Sequence, residues 1–383
     1  MRTKCFGFDY RTGEPIRVEF GVAIEAVDDW VGPTDQIDTW IAPGFIDLQV
    51  NGFAGVDYCS GNSSLEEIGR SIREQFATGV TRIYPTVITG SEADMQAAFR
   101  NIVKAKRELP EGDAFEAIHA EGPFISAETG PRGAHPVDQC RPPQIEEWKR
   151  MQGAAEGHIR LLTLSPEYEG TTKLIEHVVG EGVVVSIGHT KATTQQIADA
   201  VKAGATMSTH LGNGSHAVLP RHPNYIWDQL AEDKLSASFI ADGIHVPANF
   251  LKVAIRAKGL ERSVLVTDAV MPAGCEPGDY ALGEIEVTLH PGDRVTLRGG
   301  NQLAGSALKM DVGVSYLMRM VGLSMREAVT MATTNAARVG RVGGRMRGLN
   351  PGERADLVEF SFDKATKEIK VERTWLGGRL VYG

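Results

Sequence analysis

The stretch Val183–His210, VVVSIGHTKATTQQIADAVKAGATMSTH, contains the unit from which the rest of the chain is read. Val183–Ile187 is a short apolar run that leads into His189. Thr193-x-x-Gln196 then marks a helix start, because the two side chains satisfy backbone N–H groups that a first helical turn leaves free. Gly204 is a stop signal, since glycine readily takes the left-handed conformation beyond a last turn. The next apolar run, Ala205–Ser208, follows at once and leads into His210. The order is strand, helix, strand, and each strand ends in a residue able to bind a metal or move a proton. This is the rhythm of a parallel sheet with helical crossovers.

The rhythm extends both ways. Upstream lie Gly44–Val50 into Gln49 and Asn51, Val80–Tyr84 into Thr86, Glu116–His119 into Glu121, and Ile159–Leu164 into Ser165. Downstream lie Ser236–Ile240 into Asp242 and His245, and Ser263–Val266 into Asp268. Ser64-x-x-Glu67, Ser91-x-x-Asp94 and Ser324-x-x-Glu327 mark further helix starts, and Gly79, Gly259 and Gly322 further stops. Eight such runs predict an α/β chain folded as a (β/α)8 TIM barrel, with its chemistry at the strand ends. The two ends of the chain differ from this middle. Phe6–Tyr10, Ile16–Phe20 and Val22–Val27 at one end, and Asp356–Phe360, Ile369–Thr374 and Arg379–Val381 at the other, are strand candidates separated by turn residues. Neither end has enough apolar residues for its own core, so the expectation is one small β-sandwich domain built from residues 1–43 and 344–383, with the catalytic barrel over 44–343. Gly274–Asn301, rich in turn pairs, is read as a β excursion after the eighth strand.

At 383 residues the chain can hold a barrel of about 250 residues and a smaller module. Its net charge of −9 argues against broad nucleic-acid binding, which needs a basic surface. No apolar stretch reaches the roughly 18 residues of a membrane span, and the first residues lack an apolar signal core, so a cytoplasmic protein is expected. Cys5, Cys59, Cys140 and Cys275 are far apart, which indicates neither a disulfide framework nor a four-cysteine metal site; reduced and mostly buried thiols are expected. Gly343-Gly344 matches no phosphate-binding loop.

Glu121, His189 and His210 end the third, fifth and sixth runs, which a barrel brings to one mouth. A catalytic zinc typically takes three protein ligands and leaves a position for water, and two histidines with a glutamate are an acceptable set. One strand-end histidine is more often an ordinary hydrogen-bonded side chain; three candidate ligands at strand ends favour a metal. Asp268 is either a helix or turn cap or a carboxylate that takes a proton from water and returns it to a leaving amine. His245 is either a satisfied loop histidine or a group that polarises a substrate carbonyl. His119, two residues before Glu121, lies one layer deeper and reads as structural. His135, His216, Arg221 and His222 form a cationic group, and an arginine just beyond a metal ligand suits a phosphate.

These residues resemble a known family. Pro43-Gly44-Phe45-Ile46-Asp47 entering Gln49-Val50-Asn51-Gly52 is similar to the opening of amidohydrolase barrels. His119-Ala120-Glu121-Gly122-Pro123-Phe124, Gly188-His189-Thr190, Thr209-His210-Leu211, Ala241-Asp242-Gly243-Ile244-His245, Thr267-Asp268-Ala269 and Leu303-Ala304-Gly305-Ser306 follow in order. The series resembles that of the N-acetylglucosamine-6-phosphate deacetylases over nearly the whole chain. The resemblance implies Glu121, His189 and His210 as metal ligands, Asp268 as general base and acid, and His245 as the contact to the acetyl carbonyl. It implies substrate contacts from His135, from Asn213 and Gly214 through the main chain, and from Arg221, which would reach the phosphate in a neighbouring subunit of a homodimer. The cofactor it implies is one divalent ion per subunit, zinc first and Fe2+, Mn2+ or Co2+ otherwise. Two departures stand out. Gln49-x-Asn51 replaces the His-x-His of two-metal relatives, and amides are poorer ligands than imidazoles, which leaves Gln49 and Asn51 to position water or hold a weak second ion. Asn213-Gly214-Ser215-His216 replaces the usual Asn-Ala-Met, so the substrate can be the N-acetylgalactosamine 6-phosphate or a non-phosphorylated N-acyl sugar instead. A catalytically silent barrel that binds sugar phosphates is the alternative of another class.

Overall fold

A computed structural model describes residues 2–34, 37–282 and 285–383. Its centre is a sheet of eight parallel strands in sequence order: β1 (Phe45–Val50), β2 (Val80–Ile88), β3 (Ile118–Glu121), β4 (Ile159–Leu164), β5 (Val184–Ile187), β6 (Met207–Ser208), β7 (Ser236–Ile240) and β8 (Ser263–Val266). All six residues of β1 and all four of β8 are buried, because barrel strands are covered on both faces and read as continuous apolar runs. The ring closes through a parallel bridge between Val50 and Ala269, with the Asp268 N–H donating to the Gln49 carbonyl at 3.0 Å and Asn51 N–H to the Ala269 carbonyl at 2.7 Å. This closure puts the last residues of β1 beside Asp268. Every expected run forms a barrel strand; β2 runs on past Thr86 to Ile88, where it pairs with Glu121 of β3.

The helices start where the side chains dictate. Ser64/Glu67, Thr193/Gln196 and Ser324/Glu327 form reciprocal capping boxes. At Ser91 the hydroxyl accepts from the Asp94 N–H, and the aspartate is too short to complete the box. Gly204 caps the helix Thr194–Ala203 at φ 117°, as the stop signal requires.

Strands from both chain ends join in one seven-stranded sheet. The strand Thr39–Pro43, not foreseen as a strand, is its link: it pairs parallel with Thr3–Asp9 through Phe8 and Asp9, and antiparallel with Leu357–Asp363. Between this sheet and the barrel lies a buried ion cluster, in which Arg82 Nε and Arg345 Nη1 each donate to Asp356 Oδ2 at 2.7 Å. Burial opposes the charge on Asp356, yet the two guanidiniums hold its carboxyl down at about 2. The excursion after β8 is a small antiparallel sheet of Gly278–Leu282, Ile285–His290 and Arg294–Leu297. The four cysteines are free, but only Cys5 is fully buried; Cys59, Cys140 and Cys275 are half-buried, which corrects the expectation of mostly buried thiols.

Candidate active site

Glu121, His189 and His210 meet at the C-terminal mouth of the barrel, their ligand atoms all within 4.8 Å of one another. Glu121 Oε1 lies 3.1 Å from His189 Nε2 and 3.0 Å from His210 Nε2, and the two imidazole nitrogens are 3.1 Å apart. Burial opposes the charge on Glu121, but the two imidazoles hold its carboxyl well below the usual carboxylate range. The His189 ring is oriented from behind by its Nδ1, 2.8 Å from the Pro131 carbonyl. That outer bond leaves Nε2 for a metal, the arrangement commonly found behind metal-binding histidines. Three buried nitrogen and oxygen donors aimed at one point fit a divalent ion of the zinc type.

Asp268 stands next to this cluster. Gln49 Nε2 donates to Glu121 Oε1 and to Asp268 Oδ1, both at 3.0 Å, and Asn51 Nδ2 donates to Asp268 Oδ1 at 2.7 Å. Both amides of the first strand thus turn their N–H groups to the carboxylates. Burial, with the charge of Glu121 adding to it, pushes the Asp268 carboxyl up to about 6. Asp268, His189 and His210 all sit at positive φ, 51°, 49° and 27°. Non-glycine residues avoid that region, at a cost of about 1–3 kcal/mol each, and such strain concentrates at functional sites. The segment Leu303–Ser306 packs alongside, with the Ser306 N–H donating to the Asp268 carbonyl at 3.2 Å.

His245 is fixed by Asp242. Its Nδ1 lies 2.6 Å from Asp242 Oδ2, while Asp242 Oδ1 accepts from the backbone N–H of Ile244 and of His245. His135 stacks edge-on against His189, ring centroids 4.4 Å apart, and burial with the neighbouring His189 pushes its pKa down to about 3, so its ring is neutral. Gly214 also lies against His189: a Cβ there would be 2.7 Å from the ring Nδ1, at φ 54°. Gly214→Ala is therefore expected to strain the backbone by about 1–2 kcal/mol and to push His189 off its Pro131 bond. Metal titration should show weakened affinity and a lowered Tm; unchanged values would mean the loop yields freely. Asn213 turns back on its own strand end, with its N–H and its Nδ2 both on the His210 carbonyl at 3.0 and 3.2 Å. Arg221 and His222 are exposed, and among the described residues the one bond at Arg221 is to its carbonyl, from Asn224. Within one chain Arg221 is not brought to the cluster.

Sequence reasoning missed the groups beneath and around the site. A hydroxyl layer underlies the Glu121–His189–His210 cluster: His119 Nε2 contacts Thr163 Oγ1 at 2.7 Å, which contacts Thr209 Oγ1 at 2.6 Å, which contacts Ser186 Oγ at 2.6 Å. Burial pushes His119 down to about 4, consistent with a neutral structural ring. Asp47, fully buried below Asp268, accepts from the hydroxyl and the N–H of Thr267. At the rim His216 bridges two loops, its Nδ1 2.9 Å from the Tyr225 hydroxyl and its Nε2 2.9 Å from Glu128 Oε1. These partners lie far apart in sequence, and only the cationic character of His216 was visible beforehand.

A barrel with a His/His/Glu centre and an adjacent carboxylate at its C-terminal mouth defines a metal-dependent hydrolase. Residues 40–381 match the amidohydrolase family, and the chain belongs to that family, whose members are metal-dependent. Among its relatives, the N-acetylglucosamine-6-phosphate deacetylase of Bacillus subtilis is 33% identical over 85% of this chain and 82% of its own. The N-acetylgalactosamine-6-phosphate deacetylase of Escherichia coli O157:H7 is 32% identical over 95% and 94%. A variant of N-acetyl-D-glucosamine-6-phosphate deacetylase from Mycobacterium smegmatis, solved with N-acetyl-D-glucosamine-6-phosphate, superposes over all of both chains with a TM-score of 0.89 at 26% identity. The enzyme of the same name from Thermotoga maritima gives 0.86 at 27%, over 100% of this chain and 99% of that one.

Proposed function

We propose that this protein hydrolyses the acetamide of N-acetyl-D-glucosamine 6-phosphate, releasing acetate and D-glucosamine 6-phosphate. The observation that carries the reading is the placement of Asp268 one amide bridge away from the Glu121–His189–His210 centre, in a chain whose relatives are deacetylases of N-acetylhexosamine 6-phosphates. A divalent ion, which we take to be zinc, would be held by Glu121, His189 and His210 and would supply Lewis acidity and a water acidic enough to react near neutral pH. Asp268 takes the proton of the attacking water. The amides of Gln49 and Asn51 both occupy its Oδ1, so Oδ2 is the atom free to carry that proton to the departing nitrogen. His245, its Nδ1 proton anchored on Asp242, donates from Nε2 to the carbonyl oxygen as that oxygen gains negative charge. His135 and Gly214, both packed on His189, border the space for the sugar. Arg221 serves the phosphate of the partner subunit's substrate in a homodimer, which accounts for its exposed side chain on a loop whose Gly214 end packs on its own His189.

His245→Ala is expected to lower kcat by about 10²- to 10³-fold with little change in KM, since the bond it supplies strengthens in the transition state. A raised KM with unchanged kcat would make His245 a binding residue only. Arg221→Ala is expected to raise KM for the phosphorylated sugar by about tenfold or more, the loss of a charge-assisted pair, and to leave the free sugar unaffected. Acetate release from N-acetylglucosamine and N-acetylgalactosamine, each with and without 6-phosphate, tests the substrate directly. The galacto epimer is the second reading, favoured by the relative that matches 95% of the chain under that name. No release from any of the four would exclude both.

A further inference from the structure

The N-terminal mouth of the barrel, opposite the metal cluster, holds a cavity of about 150 Å3. It lies where the chain enters β3, β4 and β5: Glu116 and Ala117, His158 and Arg160, and Gly182 line it, together with Tyr84 of β2 and with Arg341 after the last helix. One water needs about 10–15 Å3, so the space suits a polyatomic solute. Its walls are cationic in a chain of net charge −9. Glu116 is the one acid in the lining, and its charge is already met: Arg354 holds its carboxylate at 2.7 and 3.3 Å and Arg82 approaches it at 3.5 Å. The Arg160 side chain has no hydrogen bond or ion pair among the described residues, and Arg341 spends one Nη1 hydrogen on the Gly182 carbonyl at 3.1 Å. The Tyr84 hydroxyl is committed to the Gly340 carbonyl at 2.6 Å, so the phenol adds a wall but offers no competing proton. Arg341 is held at φ 59°, a conformation that a non-glycine residue adopts only when its surroundings impose it.

We propose that this cavity is a second, non-catalytic site that binds a phosphate group, through the unspent donors of Arg160 and Arg341. Two planar guanidinium forks on one small cavity match the tetrahedral oxygens of phosphate better than a carboxylate, which a single fork would satisfy. The site requires nothing of the substrate reading above.

The test is calorimetric titration of orthophosphate into the metal-loaded R221A enzyme at constant ionic strength, so that the proposed catalytic phosphate contact is absent. Inhibition of turnover measures separately any phosphate that still reaches the catalytic mouth. Saturable binding of one phosphate per chain, uncoupled from inhibition and weakened at least about tenfold in R221A/R160A/R341A, is expected. Both arginines are exposed, and unaltered kcat/KM in R160A/R341A shows that the fold survives. Repeating the titration with glucose 6-phosphate separates sources: equal dependence on the two arginines identifies a phosphomonoester ligand, and binding of orthophosphate alone identifies the free ion. Absence of saturable binding in R221A, or binding that persists unchanged without Arg160 and Arg341, overturns the proposal.

Discussion

Asp268→Asn is expected to lower kcat by about 10³-fold or more while metal affinity and Tm stay close to wild type. The amide has nearly the shape of the carboxylate, so Gln49 and Asn51 can still contact its oxygen, and Glu121, His189 and His210 are untouched. What disappears is the carboxylate oxygen that, in the proposed mechanism, holds the proton between water and the leaving nitrogen. Near-full activity in this variant would remove Asp268 from the chemistry. The pH dependence follows from the same surroundings. Burial first, and the charge of Glu121 second, raise the Asp268 carboxyl to about 6. A base works only when deprotonated, so kcat/KM should fall as pH drops through that value. A cation on Glu121 cancels the second contribution, so the acid limb of the metal-loaded enzyme belongs at or below about 6. A limb well above it would assign the titration to another group.

Removing the metal is expected to have an equally large effect. Chelation should abolish acetate release, and stoichiometric zinc should restore it. Glu121→Ala removes the one anionic donor and the acceptor on which both imidazoles and Gln49 converge, so its affinity should fall at least about 100-fold. His189 and His210 would remain, 3.1 Å apart with their nitrogens facing, without the carboxylate that balances them. Metal analysis after dialysis, read beside activity, checks this. Full turnover in metal-free protein would rule out a metal-dependent mechanism while leaving the fold unaffected.

Much of this arrangement was legible in the residues because barrel strands are apolar on both faces and stop where their chemistry begins. Val184–Ile187 ending near His189, and Ser263–Val266 ending near Asp268, carry that pattern without any knowledge of the fold. Other parts depend on partners that no local pattern reveals. Thr163, Thr209 and Ser186 form a hydrogen-bonded layer only because three strands lie side by side. Asp47 and Thr267 meet across the barrel seam, 220 residues apart in the chain. Thr39–Pro43 was not read as a strand because its role is to pair with residues more than 300 positions away. Arg221 shows the converse. Its place just beyond His210 marks it in the sequence, but the reach into a neighbouring subunit expected of it depends on a second chain, and in one chain it faces solvent.

The shared terminal sheet has a consequence for synthesis. Its central strand, Thr39–Pro43, is made more than 300 residues before its neighbour at Leu357–Asp363. Such distant pairing delays closure, because the entropy of the long intervening loop must be overcome before any contact rewards it. During translation Arg82, which will sit between the barrel and this sheet, lacks its bidentate carboxylate partner until Asp356 arrives. A nascent chain halted before residue 356 should therefore be open to proteases along its N-terminal sheet strands, whose C-terminal partners do not yet exist, and the finished enzyme should tolerate the removal of neither set of sheet strands.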